Sequence, residues 1–246
     1  MRVLHKYLTI TILLSLCIFI GFGCSSTESE GVSPLIGAWG EGYYGEGEYM
    51  SVAFYKNGIY IYYQSFAYES GTAGVEIGNY TYDEETMTLT VTPLYDSNGT
   101  GGFANNGTSA TSGKTYSVVN NSLIISDGMA VDTLPKVIKT ANTVVGSYGD
   151  GLLDGSYMTI VLFNNGRFLL YMSDNPEWDT DNGGGVEYGT CIYDHNLKTV
   201  TFDPEIDQNG DDGVCSYNQP ITMSVTISLN SGTFCDSDDC TKLPRY

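Results

Sequence analysis

Over most of its length the chain alternates apolar with polar residues in short runs, rich in β-branched and aromatic side chains and separated by Gly, Asn and Asp. A period of two sends successive side chains to opposite faces of an extended backbone, so the pattern predicts strands. In residues 35–137 it predicts eight: Ala38–Tyr44, Tyr49–Tyr55, Ile59–Gln64, Val75–Tyr82, Met87–Leu94, Thr115–Val119, Ser122–Ser126 and Met129–Leu134. Lys56-Asn57-Gly58, Asp83-Glu84-Glu85-Thr86 and Asn120-Asn121 read as hairpin turns, because Asn and Gly tolerate the positive φ that tight turns need. The order returns in residues 144–246, with turns at Asn164-Asn165-Gly166 and Asp194-His195-Asn196, and there the last two strands read as shorter. No stretch beyond the first 23 residues carries a helical period.

The recurrence is literal in places. Gly74–Gly102 returns without a gap at Gly185–Gly213, 111 positions later, with 13 of 29 residues identical. Leu134-Pro135-Lys136-Val137 and Leu243-Pro244-Arg245-Tyr246 close the two units in the same way. The chain therefore reads as a duplication, with units at 35–137 and 144–246 joined by a linker at 138–143. A repeat of this length is far beyond the roughly 20 to 50 residues of solenoid repeats, and each copy is long enough to enclose its own core. The expected fold class is all-β: two tandem small antiparallel up-and-down β-barrels of about eight strands each, since closing a meander removes its exposed edges.

Within this frame the chain resembles the lipocalin-like (calycin) domains. Gly37-Ala38-Trp39 is similar to their Gly-x-Trp start, Asn57-Gly58 before Ile59-Tyr60-Ile61-Tyr62 resembles their second hairpin, and Gly78-x-Tyr80 and Gly189-x-Cys191 resemble a Gly-x-aromatic strand of small bacterial relatives. Tyr148 stands in the second copy where Trp39 stands in the first. The resemblance implies lipocalin-like β-barrels and a small hydrophobic or amphipathic ligand.

Arg2, His5 and Lys6 precede the apolar run Leu8–Phe22, and Gly23-Cys24 leads into polar sequence. This is the layout of a secretory signal peptide over residues 1–23, followed by a polar tether over 24–34. An uncleaved anchor helix is the alternative, for which the run is short. The position of Cys24 resembles a bacterial lipoprotein signal, which implies lipidation of Cys24 and attachment to a membrane without spanning it. Ser25 resembles an outer-membrane sorting residue, so the expected location is the outer membrane.

Net charge is −19, and loss of Arg2 and Lys6 with the leader leaves 8 basic against 29 acidic residues. Such a surface repels phosphate backbones, which argues against nucleic-acid partners. Four cysteines beyond Cys24 all fall in the second unit. An even number in an exported chain suggests two disulfides, with Cys235–Cys240 and Cys191–Cys215 favoured among three connectivities; free thiols and a metal site are the other readings. Asp96-Ser97-Asn98-Gly99 and Asp207–Gly213 begin like calcium loops. However, Asp212 and Asn218 stand where such a loop needs Gly and a bidentate Glu, so acidic turns are expected and no metal or cofactor.

If Gly78, Tyr80 and Tyr82 face a barrel interior, Glu76 shares that face, and Glu187 follows with Gly189, Cys191 and Tyr193. Glu76, Glu187, Tyr80, Tyr82 and Tyr193 are therefore the candidate ligand-binding residues; the alternatives put Glu76 at the wet rim or bury the opposite face. No Gly-x-Ser-x-Gly, metalloprotease His pair or P-loop occurs, so no catalytic residue is assigned. The expected function is that of a lipid-anchored, non-enzymatic envelope protein that binds an apolar or amphipathic ligand. A carbohydrate-active or other hydrolytic enzyme and a purely structural surface lipoprotein are the alternatives. A wide pocket at the glutamates would favour binding, two carboxylates facing across a cleft would favour the enzyme, and barrels packed solid would favour the structural role.

Overall fold

The computed structural model describes residues 33–40, 50–64, 74–99, 101–104, 107–140, 143–149, 157–173, 185–207, 213–215, 218–237 and 239–246. The expected leader, Cys24, nearly all of the expected tether, positions 41–44 of the first expected strand and positions 208–212 of the second acidic loop lie outside them.

All secondary structure among the described residues is β. Strands β1 (Gly37–Trp39), β2 (Met50–Phe54), β3 (Ile59–Gln64), β4 (Gly74–Asp83), β5 (Thr88–Asp96), β6 (Ala110–Val119), β7 (Ser122–Ser126) and β8 (Val131–Pro135) pair antiparallel in chain order. The sheet all but closes: Gly40 donates its backbone N–H to Pro135 O at 2.7 Å, and Val137 donates to Ala38 O at 2.8 Å. Strands β9 (Gly146–Tyr148), β10 (Tyr157–Leu162), β11 (Arg167–Ser173), β12 (Gly185–Asp194), β13 (Thr199–Asp207), β14 (Ile221–Ile227), β15 (Ser231–Cys235) and β16 (Cys240–Pro244) form the second sheet. It closes through Gly149 N–H to Pro244 O and Tyr246 N–H to Ser147 O.

The expected turns are present, and Asn120 and Asn121 both take positive φ, 49° and 59°. Two expectations need correction. Strands β15 and β16 have five residues each, the same as β7 and β8, because Cys235 pairs in register with Cys240 and a disulfide joins them at the strand ends. Strand β6 begins at Ala110 rather than Thr115. Thr111 and Ala110 pair with Thr90 and Val91 past a register shift, and small polar residues there give no alternation to read.

Each barrel has its own interior. In the first, Trp39, Val52, Phe54, Tyr60, Leu89, Tyr116 and Leu123 pack together; in the second, Tyr148, Leu162, Phe168, Val200, Phe202 and Phe234 do. Trp39 Nε1 donates to Leu35 O at 2.7 Å, and Tyr148 hydroxyl donates to Val144 O at 2.5 Å, so the Tyr does the Trp's work of tying the start of its unit.

A third core joins the barrels into one compact unit. The outward faces of β2–β4, with Tyr55, Ile61, Tyr63, Val75 and Ile77, pack on those of β10–β12, with Val161, Tyr171, Val186 and Tyr188. Tyr63 stacks on Tyr188 at 5.3 Å between ring centroids, and the Tyr55 hydroxyl bonds to Ser147 and Thr159. Strands β2 and β3 are consequently buried on both faces, which is why Ile59-Tyr60-Ile61-Tyr62-Tyr63 is apolar without interruption.

Candidate functional site

Glu76 lies on β4 with its side chain inside the first barrel, and neither it nor Glu187 exposes any surface. The period-two expectation for this face holds. The alternative face is buried too, since Val75 and Ile77 lie in the shared core.

A carboxylate without water needs compensating donors. The Tyr60 hydroxyl donates to Glu76 Oε1 at 2.5 Å, the Phe103 N–H to Oε2 at 3.0 Å, and the Ala104 N–H to both oxygens at 3.1 Å. Phe103 and Ala104 belong to the β5–β6 connection, so Glu76 draws that loop into the barrel. Gly102 sits at φ +82°, and a Cβ on it would overlap the Glu76 carboxylate. The Phe103 ring is then set among Tyr62 at 5.0 Å, Tyr116 at 5.7 Å, Tyr60 at 5.9 Å and Phe54 at 6.1 Å. The space a ligand would need there is occupied by the protein's own loop.

The second barrel repeats the device. Val214 and Cys215 donate their N–H groups to Glu187 at 2.9 and 3.1 Å. Phe168 occupies the place of Tyr60, opposite Gly189 as Tyr60 is opposite Gly78. The second barrel has no phenol at this place, and the backbone N–H groups of Val214 and Cys215 are the donors the carboxylate meets there. In both barrels desolvation raises the glutamate to about 7, and the donors hold it from rising further.

This accounts for the repeated Glu-x-Gly. A Cβ at Gly78 would overlap the Thr92 carbonyl and one at Gly189 the Asp203 carbonyl, at the register shifts where β4 meets β5 and β12 meets β13. The glycine lets the walls approach, and the glutamate two residues earlier grips the incoming loop. The recurring Asp has a turn role: Asp96 accepts from the Asn98, Gly99 and Gly107 N–H groups at 3.1, 2.9 and 2.6 Å, and Asp207 accepts from Asn218 at 2.7 Å. Among the described residues no group of three or more potential ligands could hold a metal ion.

Tyr80 and Tyr82 share the Glu76 face, but their hydroxyls donate to Tyr55 O at 3.0 Å and Tyr116 O at 2.5 Å, tying wall strands together. Tyr193 meets the His195 ring at 4.5 Å, at the other end of β12 from Glu187. Among the described residues the candidates thus form two separate loop anchors and three wall contacts, and they do not converge on one another. Sequence reasoning missed Tyr60 and the loop donors Phe103, Ala104, Val214 and Cys215; the Gly102 and Gly213 matches were the available signal.

Of the cysteines, Cys235 and Cys240 are bonded as expected, while Cys191 and Cys215 are free thiols, correcting the second pairing. Cys215 is buried beside Glu187, to which its backbone N–H donates at 3.1 Å, and the Cys191 thiol points to Arg167 O at 3.5 Å. Burial pushes Cys191 up to about 12, so neither thiol favours the thiolate.

No protein-family model and no curated protein matches the chain. Solved structures with similarity include the DNA polymerase III beta subunit of Thermotoga maritima, 11% identical with a TM-score of 0.13, covering 88% of this chain and 58% of that one. A DNA polymerase sliding clamp of Pseudomonas aeruginosa is 7% identical with a TM-score of 0.12, covering 87% and 57%. The chain therefore spans less than two thirds of the length of these proteins.

Proposed function

We propose that the protein is a lipid-anchored envelope protein without enzymatic activity, whose two loop-plugged barrels act as one solid body, with any amphipathic ligand met outside the barrels. The observation that carries this reading is the plugging itself: Glu76 and Glu187 spend their carboxylates on backbone donors of the loops that fill the interiors. Packed barrels favour a scaffold or surface role over internal carriage of a lipocalin-like ligand. Hydrolysis has little support, because Glu76, although paired across the strands with Asp96, is sealed from solvent and Asp96 is engaged by its own turn. Anchoring and outer-membrane location rest on Arg2–Cys24 and Ser25.

Metabolic labelling with an alkyne fatty acid, followed by mass spectrometry of the N-terminal peptide, tests this. The mature chain should start at an acylated Cys24, Cys24→Ser should abolish the label, and globomycin should leave residues 1–23 attached. An unlabelled mature chain that retains Leu8–Phe22 would overturn the anchoring.

A further inference from the structure

Four of the eight basic residues that follow the leader, Lys56, Lys136, Lys139 and Arg245, border one cavity of about 510 Å³, and no Asp or Glu among the described residues lines it. In a chain with 29 acidic residues this segregation calls for a reason. The duplication builds the cavity. Lys136 and Arg245 hold the same position after β8 and β16, and their backbone N–H groups donate to Asn121 O at 2.8 Å and Asn230 O at 3.0 Å, two further matched lining residues. The linker contributes Ile138 and Lys139, and the β2–β3 turn contributes Lys56.

Among the described residues no ion pair joins any of the four to an Asp or Glu. Lys136 Nζ lies over the Trp39 ring at 4.9 Å and Lys56 Nζ over the Tyr246 ring at 5.8 Å, while Lys139 Nζ donates to Arg245 O at 2.9 Å. Arg245 is 3% exposed; its terminal nitrogens are spent on the Ser228, Thr143 and Val145 carbonyls, and its Nε has no partner. Burial first, and then the charges of Arg245, Lys56 and Lys136, lower the Lys139 ammonium. Like charges gathered around a partly desolvated space repel unless an anion joins them.

We propose that this cavity binds the phosphate of a small phosphate ester, with the ester's apolar part against Ile36, Val137 and Ile138. Lysine ammoniums act as point charges suited to a phosphate, whereas the one guanidinium that would fork onto a carboxylate is already spent on carbonyls. The cavity exceeds a lone phosphate, and its apolar lining suits the remainder. The inference goes beyond the envelope reading and does not depend on acylation.

The test is calorimetric titration of the detergent-purified full chain at low ionic strength, with hexyl phosphate as the soluble source and dihexanoyl phosphatidylglycerol as the lipid source. At least one should bind. Lys136→Gln and Lys139→Gln should each weaken binding about tenfold, added salt should weaken it further, and Lys114→Gln should leave it unchanged. Lys136→Arg should retain binding and guards against a folding defect. Binding of neither probe, or an equal loss in Lys114→Gln, overturns the proposal; which probe binds more tightly identifies the source.

Discussion

Glu76 grips Ala104 through both carboxylate oxygens, each 3.1 Å from the same backbone nitrogen. The contact links residues 28 apart and turns a strand-to-strand connection into part of the barrel's filling. Glu187 and Cys215 repeat it 111 positions later.

Replacing Glu76 by Gln turns one acceptor oxygen into a donor that faces N–H groups. Stability should fall by about 1–3 kcal/mol, the cost of leaving buried donors unmade, and Glu187→Gln should cost a similar amount. Urea unfolding of each variant at pH 5 and pH 8 measures it, and an unchanged midpoint would mean the loops are not held by these residues.

The pH dependence follows from the same groups. Both glutamates are raised from 4.5 to about 7 in the folded chain, so between those values the native state binds more protons than the unfolded state. Stability should therefore decline as pH rises from about 4.5 to about 7 and then level off. The exposed turn aspartates Asp83, Asp127 and Asp194, lowered chiefly by backbone N–H bonds, act in the opposite sense, and their contribution is lost as pH falls through the acid range. Thermal melts from pH 4.5 to 8 should slope downward in the wild type and flatten in the Glu76→Gln/Glu187→Gln double variant.

The shared core predicts cooperative unfolding of the two barrels. Tyr188→Ala removes the ring stacked on Tyr63 and should cost about 3–5 kcal/mol, with the single calorimetric transition splitting into two as the barrels uncouple. A wild type that already melts in two steps would contradict a common core.

Thiol chemistry separates the cysteines. Cys191 and Cys215 should resist Ellman's reagent in the native state and react on unfolding. Replacing Cys235 and Cys240 by Ser should cost about 2 kcal/mol for so short a loop. Reaction of neither Cys191 nor Cys215 in the unfolded, unreduced chain would restore the second disulfide.

Much of the fold was legible because its signals are local. Alternation marks β4 and β7, and paired asparagines mark the turn at 120–121. The inner-face assignment of Glu76 came from the same period. The shared core was not legible: β2 and β3 are apolar on both faces, which in a lone barrel means nothing more than a strand without clear alternation. The loop anchor was half visible. Gly102 and Gly213 recur, but a glycine does not announce that a carboxylate from 26 residues upstream will occupy the place of its Cβ. The cation cluster escaped because Lys56, the Lys136–Lys139 segment and Arg245 are far apart in the chain and meet only once the barrels pack.

Hydrogen exchange at single amides tests the central claim, that Glu76 and Glu187 fasten their loops inside solid barrels. The Ala104 and Cys215 amides should exchange as slowly as those of β4 and β12, and Glu76→Gln should speed Ala104 while leaving Cys215 slow. Exchange of both at the rate of an exposed loop in the wild type would mean the barrels stand open, and would return Glu76 and Glu187 to the role of ligand-binding residues.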